Sequence, residues 1–517
     1  MNLMATGNIL SVARFSTVVM RAFRVGSAIP LLGLGSALAV ALLGYHPYAE
    51  DGGIYASALS LRLDASLFPA YRGFVVAHTG TSLFIPLIAE VIRWSHLSQA
   101  TAMFALYVLS VVATLTALWQ LARILLPTLQ QQRWATLLLA VTLGMPVGGT
   151  SLYLADPYVT ARSFSTPLIV LTLATMLQKR HAMTAAFLTV SFAIHPLMTF
   201  WALLPVAFVL LWQRSTQPLR DSALLGVGIV GVAGVLQALS HADSATVRAA
   251  SLSRSYWFLS EWQWYEWIGL IAPCLLLLHF LKVAQRDEEC SEETRVLVRA
   301  MVAAMLTVTA VSLLWIHTSN ASFLLARVQP LRLLHPVYLV FLLLLAGWLA
   351  KVSGDSWRSW TAFVVLLVAA ADGLMVLQRT TYPYSAHMEV PWTQSGNGYE
   401  QAAHWLRDNT PHDAVIATDA HYTSAFGEDA QMVRAIALRS TVPDAAKDGG
   451  IASVVPTLSD AWMVGSSAQE GLAKATDAVR AARVKPLGAS WLLLPADADT
   501  AFPCPYVNAV AKVCRIP

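Results

Sequence analysis

Two adjacent carboxylates, Glu50 and Asp51, follow closely on an apolar run that ends at Leu43. They lie in the segment His46-Pro47-Tyr48-Ala49-Glu50-Asp51-Gly52-Gly53-Ile54-Tyr55. Behind them Ile54, Tyr55, Ala58, Leu59 and Leu61 recur at helical spacing. That pattern predicts a helix lying in a membrane interface, with the acids at its start. Asp51 is then either a reactive acid or the N-cap of that helix. Other ionisable residues gather where apolar runs end. Asp156 precedes Pro157 and the next run, which suits a helix cap, and Arg162 could pair with it or snorkel outward. His195 stands before Pro196, placed to bond a broken backbone or a substrate. Arg327 and Arg332 form a basic pair, and a guanidinium fork matches phosphate, whether of a substrate or of an ordinary lipid head. No HExxH, CxxC or P-loop occurs, and His and Cys show no metal-ligand spacing. No cofactor is firmly indicated; the residues admit only a divalent cation, Mg or Mn, held by carboxylates.

The elements that must position these groups are membrane spans. Of 517 residues 56% are hydrophobic and 12% charged, about half the charge of a soluble domain. The mean hydropathy is +0.57, so lipid is the first solvent to consider. A net charge of +4 without a basic stripe excludes nucleic acid as a partner. The run 25–43 follows Arg14, Arg21 and Arg24 and is too long for a signal peptide, so it is expected to remain as a first span. Ten more are expected at 99–122, 134–153, 162–178, 182–195, 197–212, 222–239, 265–281, 300–317, 333–350 and 359–377. Pro196 divides a run too long for one span. With 1–24 cytoplasmic, every inner segment is then basic, as the positive-inside rule requires. Arg327 and Arg332 fall outside, against that rule. The stretch 73–94 is amphipathic and is expected as one helix in the outer interface within a first outer loop, 44–98.

The composition changes at about Gln378. Residues 378–517 are expected to form a small α/β domain outside the membrane, behind a transmembrane domain of 25–377. Tyr399–Asp408 reads as an amphipathic helix, and 414–418 and 491–494 as buried strands. Cys504 and Cys514 lie close together in that domain, and an oxidising compartment would allow a local disulfide.

An acidic pair just after the first span, followed by an interfacial helix, resembles the first-loop motif of the GT-C superfamily of membrane glycosyltransferases. Their mannosyltransferase- and arabinosyltransferase-like members use polyprenyl-phosphate-linked sugars. The fold expected from the resemblance is an all-α polytopic protein of about eleven spans with an outer C-terminal α/β domain, in a bacterial inner membrane. It implies inverting sugar transfer at the periplasmic or extracellular face, to a glycan, lipid or protein acceptor. Asp51 would take the proton of the acceptor hydroxyl and Arg327 or Arg332 would receive the departing phosphate. Glu50 or Asp156 would position the acceptor or a metal ion. Arg162, His195 and Tyr55 would line the substrate site. A WWD-like motif is absent, which argues against oligosaccharyltransferase. The rival readings are a transporter or flippase, and a non-enzymatic assembly protein. The spans carry few charges and the ionisable residues collect at their outer ends, unlike a transporter's mid-membrane site.

Overall fold

The computed structural model describes residues 28–284, 290–353, 357–421 and 430–517. The expected cytoplasmic segment 1–24 lies outside them. The chain builds a helical bundle and a small domain around a mixed sheet.

Among the described residues, seven helices are long and apolar enough to cross a bilayer: Gln99–Leu125, Pro196–Arg214, Pro218–Leu239, Trp264–Val283, Glu292–Trp315, Ala326–Ser353 and Thr361–Thr381. Three shorter apolar helices, Ala28–Leu43, Ala161–Leu177 and His181–Ile194, pack among them. These are the elements of a multi-pass membrane protein. The break before Pro196 is as expected: His195 separates two helices and its Nδ1 accepts the Met198 N–H at 3.4 Å.

The eleven expected spans do not all take that form. The stretch 134–153 is not one span. Its helix, Leu129–Thr142, begins at a Thr128–Gln131 capping box and stops before Gly144. The chain then folds into a hairpin, β1 (Pro146–Val147) against β2 (Leu152–Tyr153). Gly149 turns it with φ +68°, and a side chain there would meet the Trp262 ring at 2.4 Å. Likewise 73–94 is two helices, Arg72–Val76 and Phe84–Ser95, separated by a turn that contains Gly80. The second buries Phe84, Ile85, Ile88 and Ile92 on one face and exposes Leu87, Val91 and Trp94.

The C-terminal sheet contains β3 (Val415–Thr418), β4 (Ser440–Thr441), β5 (Trp491–Pro495), β6 (Tyr506–Val507) and β7 (Ala511–Arg515), in the order β4-β3-β5-β7-β6. β3 lies parallel to β4 and β5, and β7 antiparallel to β5 and β6. Both faces of the sheet are apolar and covered. Ala402, Ala403 and Leu406 of the Gly398–Asn409 helix pack on one face, with Ile416 and Leu493. Val415, Leu492 and Val484 pack on the other. Cys504 and Cys514 are joined by a disulfide, while Cys274 lies outside it in the bundle.

Candidate functional site

The helix that begins at Asp51 runs to Leu63. It does not lie in an interface on one face, as its apolar stripe suggested. Every residue from Gly52 to Leu61 is buried. The helix is wedged between the Phe84–Ser95 helix and the Ala430–Ala437 helix of the C-terminal domain. The acids therefore stand at a seam between bundle and domain. Asp51 is the first helical residue and not the cap. The cap position is Glu50, whose side chain makes no capping bond and whose backbone holds φ at 49°. That conformation is costly for a residue with a β-carbon, and surrounding contacts must hold it.

Lys447 is the contact that the sequence reading missed. Its Nζ donates to Glu50 Oε2, and to Asp51 Oδ1 at 3.4 Å. Lys447 opens a helix, Lys447–Val454, whose start is fixed by a buried network. Asp444 Oδ1 accepts the Lys447 N–H at 2.7 Å. Asp448 receives both terminal nitrogens of Arg434, at 3.0 and 2.6 Å. Arg434 and Asp448 are 1% and 0% exposed, so this bidentate pair is fully desolvated and fixes the geometry around it. The sequence held a signal for this. Asp51-Gly-Gly-Ile54 and Asp448-Gly-Gly-Ile451 are the same tetrapeptide, and each starts a helix. Ile54 and Ile451 pack in one apolar cluster with Phe74, Ala250 and Trp462, so the two helix starts are pinned to each other.

Burial works to raise the Asp51 carboxyl, but the positive charges of Lys447, His78, Arg162 and Arg332 outweigh it and hold the group well below the usual carboxylate range. Asp51 is therefore ionised. Burial pushes the Tyr55 phenol upward, and the Asp51 charge adds to this. The Tyr55 ring stands edge-on to those of His78 and Phe84.

Asp156 and Arg162 are both buried and paired, with Arg162 Nη2 donating to Asp156 Oδ2 at 2.6 Å. This replaces the helix-cap role expected for Asp156, because the cap of the Ala161–Leu177 helix is Thr160. Asp156 Oδ1 has no hydrogen-bond partner among the described residues and faces a cavity of about 20 Å³ lined with Ser110, Thr114, Ser163 and Thr166, enough for a water.

The two arginines expected to share a role differ. Arg327 is taken up by the Asp243 carboxylate, which also accepts the Phe323 N–H at 2.8 Å. Arg332 has no carboxylate within salt-bridge distance among the described residues. Its Nε donates to Gln329 Oε1 at 2.5 Å. It lines a second cavity of about 20 Å³ with Tyr256, Trp257, Ser312 and Trp315. Trp257 Nε1 and Ser312 Oγ are buried there without a hydrogen-bond partner among the described residues. His195 is spent on its own backbone break, and the Cys504–Cys514 bridge stands apart in the sheet.

The acids do not fit a bound divalent ion. An ammonium already bridges them, and among the described residues no group of three His, Cys, Asp or Glu could hold a metal. No known protein family matches this chain, and no curated protein sequence matches it.

Proposed function

We propose that the chain is a GT-C-like transferase, moving a sugar from a polyprenyl-phosphate carrier to an acceptor hydroxyl at the face of the membrane that carries the C-terminal domain. The observation that supports this best is one juxtaposition. An ionised, partly exposed Asp51 lies within electrostatic reach of Arg332, a guanidinium with no carboxylate at salt-bridge distance among the described residues.

In this reading an acceptor hydroxyl attacks the anomeric carbon and its proton passes to an Asp51 carboxylate oxygen. The new bond is carbon to acceptor oxygen. The bond that breaks joins the anomeric carbon to the phosphate oxygen, whose electron pair leaves with the lipid phosphate. Arg332 stabilises that departing charge. Single displacement inverts the anomeric centre. A carboxylate held far below neutrality is a weak proton acceptor, so Lys447 has to move off Asp51 when substrates enter.

The test is Asp51→Asn expressed at wild-type level in a deletion strain, scored for surface glycans and polyprenyl-linked sugars. The expected result is the deletion phenotype, with a lipid-linked sugar accumulating. Full rescue by Asp51→Asn would remove Asp51 as the base and bring a transporter or scaffold role forward.

A further inference from the structure

The largest cleft among those described lies at the other end of the bundle. The helices Gln99–Leu125, Ala161–Leu177 and His181–Ile194 part there around about 500 Å³, within the size range of small-molecule sites. Tyr107, which bonds Gly44 near the acidic pair, and Arg123 in the cleft are sixteen residues apart on one helix, roughly 24 Å. The cleft is therefore separate from the site described above.

Its lining is divided. One side is polar, with Gln120, Arg123, Gln178 and Arg180. Arg123 Nη1 donates only to Gln120 Oε1, at 3.3 Å, and neither arginine has a carboxylate within salt-bridge distance among the described residues. The other side is apolar, with Met183 and Phe187. Met183 is 44% exposed, and Val190, two turns on along the same side of the helix, is exposed as well, a face turned to the bilayer. The cleft thus opens toward acyl chains on one side and presents two uncompensated cations on the other.

We infer that this cleft binds an anionic phospholipid, its phosphodiester between Arg123 and Arg180 and an acyl chain along Met183 and Phe187. Basic pockets between helix ends are how membrane proteins hold such head groups. The two arginines favour a net negative head group, because among the described residues no acid lines the cleft to receive the cationic part of a zwitterionic one. The apolar wall favours a lipid over a soluble phosphate.

The test uses the purified full chain in detergent, titrated with phosphatidylglycerol or phosphatidylcholine and read by native mass spectrometry. Phosphatidylglycerol should be retained over phosphatidylcholine, and the Arg123→Gln/Arg180→Gln variant should bind it about thirty-fold more weakly. Arg220→Gln, basic but outside the cleft, should bind as wild type. Glycerol phosphate at equal concentration should not displace the lipid. Equal binding of the two lipids, full retention by the double variant, or displacement by glycerol phosphate would each overturn the assignment.

Discussion

Against burial, Lys447 is the largest of the positive charges that hold the Asp51 carboxyl down, and its removal has a definite sign. The Asp51 carboxyl lies below its ordinary value in the folded chain. Its contribution to stability is then complete above the unfolded value of about 4 and is lost as pH falls through the folded one. The same depression places any acid limb of activity below the ordinary carboxylate range. In Lys447→Met, burial is opposed by one cation fewer, so the limb should rise into or above that range, read from kcat/KM for sugar transfer against pH. An unmoved limb would show that the other cations suffice. The acids themselves were legible, because charge at the end of an apolar run is rare. Their counter-ion was not, because a lysine some four hundred residues away is one of many until the fold selects it. Arg327 and Arg332 looked alike for a similar reason: the sequence does not reveal that Asp243 takes one of them.

Among the elements, the helix from Asp51 to Leu63 carries the most. Gly52 allows its start to approach the preceding loop, since a β-carbon there would lie 2.6 Å from the Pro47 carbonyl oxygen. Gly52→Ala should therefore displace the helix start and cost about 1–3 kcal/mol. A melting temperature of the purified protein unchanged from wild type would show that the loop yields freely. Periodicity predicted this helix and most of the others, because each has a face that must be buried. It assigned the helix to an interface because a stripe records apolarity without saying what covers the opposite face. Here the Ala430–Ala437 helix does. The hairpin at 146–153 was missed for a related reason. Its residues are apolar enough for lipid, and the turn is marked only by Pro146 and the Gly148-Gly149 pair.

For the whole molecule, the seven long apolar helices and the domain docked against one end make sidedness the decisive property. Single cysteines at Asn409 and Gly488 should react with an impermeant thiol reagent from the same side as one at Asp64, and one at Thr216 only after permeabilisation. Labelling of Thr216 together with the others would invert the charge-based topology and move the proposed site to the cytoplasm. Cys504 and Cys514 should stay unreactive unless reduced. The division into bundle and domain was legible from composition alone, since long apolar runs end near Gln378. Their docking was not, since it rests on contacts such as Arg254 Nη2 to the Ala446 carbonyl at 2.7 Å, which no local pattern encodes.

The span between Glu50 and Lys447, 397 residues, also has a meaning in time. A ribosome adds about 5–20 residues per second, so roughly 20–80 seconds separate the acids from their ammonium partner. Through that interval the first helices enter the membrane with the two carboxylates lacking that ammonium and the flank of the Asp51–Leu63 helix bare. A quality-control protease or chaperone that recognises exposed apolar helix surface has that window in which to act. It closes when the domain that carries Lys447 docks, so a later-made part of the chain seals an earlier one.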